Sequence, residues 1–484
     1  MGMRKQFGVP QRYVKRNYFK SKYGQIILAC FISFIFIAIA CTNTIEPAEI
    51  TNKSVTQTSE LKIWWEQGYN FPEDEAIRNL VNNWQNKTGN KVKLSFFSTN
   101  EFTAKVKRAV KAGNLPDIIM NPKGDRILYP QLAWQDKLED VSDLIKPIKD
   151  DYPENILKAI TYSNPKQGKR SYYAVPIDRV SIFIFYWQNL LTSIGLDGND
   201  IPQDWDGFWQ FWQQAQTKFK TAQNRDIYAL GLPLGGSNNA DDTYYLFEQI
   251  LEAYDVSLFN EQGELEIDRP EVRQGIIECL NWYVGLYQQG YIPPDAVNWS
   301  NVDNNRNLLN RLVLMTPNTT FSIPATVSQD RDTYLNQLSM VEFPDKPNGK
   351  PMRHLISIRQ AVIFKDSSHK FLAKNFLRYF IQPQIAIDYL KASNSRTLPV
   401  RTSVWSDSFW QDTKDPYVVA ATKVLTSKPT RLFYTVDHPA YSQVLAENVW
   451  GKTLTKVTVD KVNPEQAANE AISRIREIFT EWNK

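Results

Sequence analysis

Cysteine and histidine are scarce in this chain of 484 residues, with three of each. Cys30 and Cys41 lie in the N-terminal segment, so Cys279 stands alone in the body and no intrachain disulfide is possible there. Cys279 sits in the apolar helical pattern EVRQGIIECLNWYVGLY and reads as a small buried hydrophobe. His354, His369 and His438 are scattered, and no His/Cys/Asp spacing resembles a zinc site. A Gly-x-Ser-x-Gly elbow and a Cys/His pair for nucleophilic chemistry are also missing. The Gly-rich run 235–239 lacks the spacing of a nucleotide-binding loop. No cofactor and no metal are therefore expected. Beyond residue 41 there is no cluster of Lys and Arg, which removes any global pull toward nucleic acid or anionic lipid. The apolar run Ile26–Ala40 has 15 residues, short of the roughly 20 that span a bilayer.

What surrounds that run is more specific. Residues 1–25 carry Arg4, Lys5, Arg12, Lys15, Arg16, Lys20 and Lys22 and no acid. The run closes on Ala38-Ile39-Ala40-Cys41 and gives way to a polar stretch. A basic start, a short apolar core and small residues describe a secretory signal. A cysteine just after the small residue resembles the lipobox of bacterial lipoproteins, in which that thiol is acylated and becomes the new N-terminus. An uncleaved membrane anchor is the alternative, and either way residues 42–484 are expected outside the cytoplasmic membrane. The whole chain has 56 basic and 52 acidic residues; removing the seven bases of the leader leaves 49 against 52, so the net charge passes from +4 to −3. Residues 42–59 are polar and aperiodic, and read as a flexible tether.

The body is rich in aromatics: the chain has 14 Trp, 23 Tyr and 25 Phe. Some of these fill cores, but Trp and Tyr in excess also suit carbohydrate, whose apolar C–H faces stack on rings while its hydroxyls meet Asp, Glu, Asn and Arg. Leu61–Trp65 reads as a first strand, 73–88 as a helix stopped by Gly89, and Lys91–Phe97 as a second strand. A helix closed by Gly113 and a strand over 116–120 follow, and this alternation predicts a parallel sheet. The segment 172–187 is too long for an ordinary core strand and is expected to run from one sheet to another. Asp204 is placed to cap a helix whose Phe208, Trp209, Trp212, Ala215 and Phe219 form a core stripe. Helices are expected over 241–254, 270–289 and 368–383, strands over 311–317 and 356–364, and a last helix from Pro464.

Several local patterns then line up in order. They are Trp65-Glu66; Ala112-Gly113-Asn114-Leu115-Pro116-Asp117-Ile118; Tyr173-Ala174-Val175-Pro176 with Tyr186-Trp187-Gln188-Asn189; Ile201-Pro202 with Asp204-Trp205-Asp206; Phe371–Leu377; Leu398-Pro399-Val400; and a closing Pro-Glu-Gln-Ala-Ala helix. Over nearly all of 60–484 this resembles the extracellular solute-binding proteins of ABC importers, in the group of the maltose-binding protein and other sugar-binding lipoproteins. It departs from that pattern at Arg311–Met315 and in the Asn-rich stretch 290–310. The resemblance implies an α/β fold of two Rossmann-like lobes joined by a multi-segment hinge, of the type II periplasmic-binding-protein kind. It divides the chain into a signal peptide (1–40), a tether (41–59), an N-terminal lobe (60–176 with 316–352) and a C-terminal lobe (177–315 with 353–484). It also implies a monomer without catalytic activity. Such a protein would hold a small solute, a sugar first, between its lobes, present it to membrane permease subunits, and meet the membrane through lipid on Cys41.

Within that frame the expected ligand-binding residues are Trp65 and Glu66 at the end of the first strand and Asn121 and Asp125 after the third. Asp178 joins them from the crossing segment. Asn238 follows in the Gly-rich loop, where backbone N–H groups could approach a ligand. Trp299 is a second stacking platform, and Arg353 and Arg396 are hydrogen-bond donors. Each has a plainer reading: core for the tryptophans, solvated loop or hinge for the carboxylates, surface for the arginines. Two other functions compete. A carbohydrate-active enzyme would need paired carboxylates, for which Glu66 and Asp178 could be cast. A binder of a non-sugar solute such as a polyamine or phosphodiester is the other, and a polyamine would want more clustered acids.

Overall fold

The computed structural model describes residues 60–411 and 413–482, all within one compact unit. Cys41, the signal segment and the tether lie outside the described residues. Three parallel strands open the fold: β1 (Glu60–Glu66) lies between β2 (Lys91–Phe97) and β3 (Ile118–Asn121). The helices Phe71–Thr88 and Thr99–Ala112 connect them, and Gly89 and Gly113 end these helices in the left-handed conformation that glycine adopts without a Cβ penalty. A small hairpin, β4 (Thr161–Asn164) with β5 (Lys169–Tyr172), precedes β6 (Val175–Ser181).

The long segment does pass between sheets. After Ile182 the chain continues as β7 (Phe183–Trp187), and β6 and β7 belong to different sheets. The second sheet places β7 between β9 (Val313–Asn318) and β10 (Leu338–Val341), antiparallel to both, with β8 (Tyr228–Leu230) parallel to β9. The chain then returns across 342–353 to β11 (His354–Ile363), which runs antiparallel to β3 and β6 and parallel to β12 (Thr430–Arg431).

This pairing corrects the expected division. The expected division puts residues 316–318 of β9 and all of β10 in the first lobe and β11 in the second, but β9 and β10 join the second sheet beside β7, and β11 joins the first beside β3 and β6. The first crossing falls at Ile182 rather than after Pro176, because β6 keeps its register with β11 from Ala361↔Val175 to Ile356↔Ser181. Each of these strands is a continuous buried apolar run, and such a run does not disclose which sheet it joins. The C-terminal part divides as well. The helix Pro383–Ala392 packs on Phe71–Thr88 of the first lobe. The helix Pro416–Ser427 returns to the second, where Tyr417 Oη donates to the carbonyls of Tyr334 and Leu338 at 2.9 Å each.

The expected core residues are inside. Phe208, Trp209, Trp212, Ala215 and Phe219 of the helix Trp205–Gln223 are all buried, and Asp204 caps that helix by accepting from Gly207 N at 2.8 Å. Cys279 is fully buried. Among the described residues no helix is long and apolar enough to cross a membrane, and no group of three His, Cys, Asp or Glu is placed to hold a metal.

Candidate functional site

A cleft of about 460 Å³ lies where the C-terminal ends of β1, β3 and β9 converge, within the ~300–1,000 Å³ span of small-molecule sites. The carboxyl ends of strands in open α/β sheets are where ligands bind. From β1 the wall is Trp65, Glu66 and the turn Gln67–Tyr69. The turn is held by a capping box: Asn70 Oδ1 accepts from Glu73 N at 3.3 Å and Glu73 Oε1 accepts from Asn70 N at 3.2 Å. Gly68 is required there, since a Cβ would stand 2.6 Å from Glu73 Cβ.

Capping uses one oxygen of Glu73 and leaves the other to the cleft. Glu73 Oε2 accepts from Arg396 and lies 3.8 Å from Arg359 Nη1. Arg359 Nε in turn stands 3.2 Å from Asp178 Oδ1. Arg396 is also within 5.4 Å of the Tyr69 ring. Tyr69 is 37 % exposed, whereas the other lining rings, Trp65, Tyr245 and Tyr389, are buried. Burial raises the Asp178 carboxyl to about 6, although Arg359 opposes the shift.

The opposite wall is built by the second lobe. Gly231 N donates to Met315 O of β9 at 2.8 Å, which anchors the loop leading to the helix Asp241–Ala253. Asn301 then fixes the start of this helix, donating to Asp241 Oδ2 at 2.8 Å and accepting from Asp242 N at 3.1 Å. Asn305, Asn318, Thr319 and Thr320 complete this wall. The lobes touch through Lys123, which follows β3 and donates to Asp241 Oδ2 at 2.6 Å. A second contact runs from Arg126 Nε to Tyr244 Oη at 3.3 Å.

Two carboxylates of the cleft stand apart. Glu66 is 4 % exposed and its Oε2 has no hydrogen-bond partner. Burial raises its pKa, while Lys123 and a hydrogen bond with Thr99 oppose the rise. Asp242 is raised to about 7, first by desolvation and then by the neighbouring Asp241.

The expected site residues separate into three groups. Trp65, Glu66 and Arg396 border the cleft. Trp65 does so from inside the core: it is 2 % exposed and stacks on Phe380 with centroids 6.0 Å apart, so its faces are already covered. Asn121, Asp125 and Asp178 lie behind the lining. Asn121 Oδ1 accepts from Lys123 N at 2.9 Å, and Asp125 accepts from Ser357 Oγ at 2.6 Å and pairs with Arg126 at 3.4 Å. They orient the lining cations. With Asp178 buried on Arg359, the carboxylate pair imagined for a glycosidase does not face the cleft.

Asn238, Trp299 and Arg353 do not line the cleft. Asn239 does so in place of Asn238, and the two glycines serve packing: a Cβ on Gly235 would stand 2.1 Å from Trp299 O, and one on Gly236 2.6 Å from Thr455 Oγ1. Trp299 turns its indole inward, donating from Nε1 to Asp295 at 3.0 Å, while the next residue, Ser300, reaches the cleft. Arg353 is committed to Glu252 by a two-pronged contact at 2.8 and 2.7 Å.

Sequence reasoning missed Glu73, Lys123, Asp241, Asp242, Asn301, Asn305 and Arg359. The Asn-rich stretch had drawn notice only as a departure, yet Asn301 and Asn305 come from it. The pattern Asn70-x-x-Glu73 before an apolar helical run was a legible capping box. Nothing local marks Arg359, a cation inside an apolar strand until its carboxylates are seen.

The model of the family described as bacterial extracellular solute-binding protein matches residues 79–416. Solved structures agree in fold. A solute-binding protein of an ABC transporter from Thermotoga lettingae, bound with α-D-tagatose, superposes with a TM-score of 0.70 at 20 % identity, covering 87 % of this chain and 99 % of that one. Maltose-bound MalE3 of T. maritima gives 0.70 at 17 % identity over 86 % and 100 % of the two chains. The sugar transporter of Arthrobacter chlorophenolicus with bound laminaribiose gives 0.69 at 15 % identity over 87 % and 99 %. No curated protein matches in sequence. The family match spans well over half of the chain, and its fold is shared with those structures: this chain belongs to the bacterial extracellular solute-binding proteins.

Proposed function

We propose that the protein captures a carbohydrate between its lobes and presents it to the permease of an ABC importer, held at the membrane by lipid on Cys41. The observation that carries this reading is the cleft itself. It has the volume of a small-molecule site, it is walled by both lobes, and its lining is dominated by hydrogen-bonding side chains. Hydroxyl-rich ligands need such a wall, with donors such as Arg396 and Arg359 set against acceptors such as Glu66, Asp242 and the Asn301–Asn305 amides. Tyr69, half-exposed beside Arg396, supplies a ring face for the C–H side of a sugar. The structures of similar fold that hold tagatose, maltose and laminaribiose support the ligand class.

Ligand joining both walls favours the closed arrangement, and closure requires only that it prefer that state by a few kcal/mol. The test is a thermal-shift and calorimetric screen of purified protein against mono- and disaccharides. A binding sugar raises the apparent melting temperature, by about 2.7 kcal/mol of stabilisation at a hundredfold excess over Kd. Binding of none, or turnover of a glycoside, sinks the reading. Mass spectrometry of the mature N-terminus tests the anchor: a diacylated Cys41 is expected, and an intact Met1 would exclude it.

A further inference from the structure

Together with Asp125 and Asp178 behind its lining, the cleft has six carboxylates against four cations, an imbalance of one sign. Its cations are Lys123, Arg126, Arg359 and Arg396, and each already has a carboxylate: Asp241 for Lys123, Asp125 for Arg126, and Glu73 and Asp178 for the two remaining arginines. These four cations meet four carboxylates. Glu66 and Asp242 remain, and among the described residues neither has an ion-pair partner within 4.0 Å. The cation nearest in effect to Glu66, Lys123, is held by Asp241. Arg179, buried in the same strand as Asp178, extends from the other face of β6 over Trp405 at 4.8 Å.

From this surplus we infer that the ligand of the cleft carries an ammonium group, and that an amino sugar is its natural form; the inference rests on the carbohydrate reading above. Glu66 is the second, independent sign: a carboxylate 4 % exposed, lining the cleft, with Oε2 unpartnered. A buried carboxylate is costly unless it meets a donor, and most of all a charged one. Arg359 Nε and Arg396 Nε also lack hydrogen bonds, but their charge is already neutralised, so they offer donors to hydroxyl oxygens and no seat for an acidic sugar. Glu66 belongs to the first lobe and Asp242 to the second. An ammonium between them is attracted to both only when the lobes are closed, which makes the same contact a source of specificity and of closure.

The experiment is calorimetry at about pH 7, where the amine probes still carry their proton and Asp242, raised to about 7, is about half ionised, with four probes. Glucosamine is compared with glucose, its hydroxyl isostere, and with glucuronate; spermidine is the sugar-free ammonium. Glucosamine is expected to bind at least about tenfold more tightly than glucose, with no detectable binding of glucuronate. In Glu66→Gln the preference for glucosamine collapses to within about threefold of glucose. Equal or tighter binding of glucose or glucuronate to the wild type overturns the inference and leaves the carbohydrate reading standing. Binding of spermidine with neither glucosamine nor glucose keeps ammonium recognition and overturns the carbohydrate reading. Failure of all four overturns both. A thermal melt of Glu66→Gln confirms that the variant is folded.

Discussion

Two buried glutamates, Glu252 and Glu66, are treated in opposite ways. Glu252, on the inner side of the helix Asp241–Ala253, is 1 % exposed. It receives Lys346 at 2.6 Å, Arg353 at 2.7 Å and Arg431 at 3.5 Å. Burial would raise its pKa, but the Arg353 hydrogen bonds and the charge of Arg431 outweigh burial, and the carboxyl ends below its ordinary 4.5. Glu66 is nearly as buried and has no cation of its own, and its carboxyl ends above 4.5. Lys346 and Arg353 come from the 342–353 crossing and Arg431 from β12 beside β11, so Glu252 ties the second-lobe helix to the first sheet at the hinge. The fold surrounds a buried carboxylate with cations where it needs rigidity. In the cleft it leaves one open, where a ligand can complete it.

The sharpest way to break the comparison is to remove the saturated member. Glu252→Gln takes one carboxylate from each of Lys346 and Arg431, both nearly buried, and leaves them Asp255 and Glu248 respectively. With those second partners in place no charge is left bare, and the cost is that of lost hydrogen bonds to a charged group, about 1.5–3 kcal/mol. Arg353 is half-exposed and adds little, because solvent screens it. Urea unfolding is expected to show a loss of this size, and a change below about 1 kcal/mol would mean that the network stabilises nothing. Acid acts in the same direction: stability from Glu252 is present above 4.5 and is lost as pH falls through its depressed folded value. In the cleft, Arg396→Ala removes one of two cations from Glu73 and the neighbour of the Tyr69 ring. Ligand affinity should fall by about 10- to 100-fold, the worth of a charged hydrogen bond. Unchanged calorimetric affinity would remove Arg396 from the site.

Much of the scaffold was legible before the structure. The βαβαβ opening followed from helix-period stripes closed by Gly89 and Gly113, and the crossing from a β-branched stretch too long for one strand. The order of sheet membership was not legible, since β9 and β11 are both continuous apolar runs and only pairing distinguishes them. Residue type and strand ends pointed to Trp65, Glu66 and Arg396, which border the cleft. This reading went astray where type misleads. Trp299 and Arg353 look like ligand groups but are occupied by Asp295 and Glu252, partners that no local pattern announces. The glycines of 235–236 admit neighbouring chain rather than a ligand.

A smaller effect sharpens the contrast from the other side. Glu66 and Asp242 have folded pKa values above their ordinary ones, so the stability linked to them is complete at low pH and is lost as each ionises. For Asp242 the window runs from 3.8 to about 7. Ligand-free protein should therefore lose stability across this range where Glu252 is already constant. Asp242→Asn and Glu66→Gln should each flatten the slope and stabilise the neutral-pH protein by about 1 kcal/mol, a common gain when a strained functional group is removed. Melting temperatures at about pH 4, 5.5 and 7 measure this. A parallel decline in wild type and Asp242→Asn would show that this carboxylate is already satisfied.

Trp299→Phe gives the smallest expected change and separates the cleft from the shell that supports it. The indole is 3 % exposed and its polar contact is the 3.0 Å bond to Asp295, four residues earlier. Phenylalanine keeps most of the apolar volume and loses that bond, so the cost is about 1 kcal/mol of stability. Trp299 O packs where Gly235 lacks a Cβ, and Ser300 N donates to Asp303 Oδ2 at 2.8 Å, so backbone contacts hold Ser300 and Asn301 in place whatever ring precedes them. Ligand affinity should stay within about twofold, an energy change below half a kcal/mol. A tenfold loss of affinity at unchanged stability would mean that the ring reaches the ligand in the bound state, and Trp299 would then return to the site that its residue type first suggested.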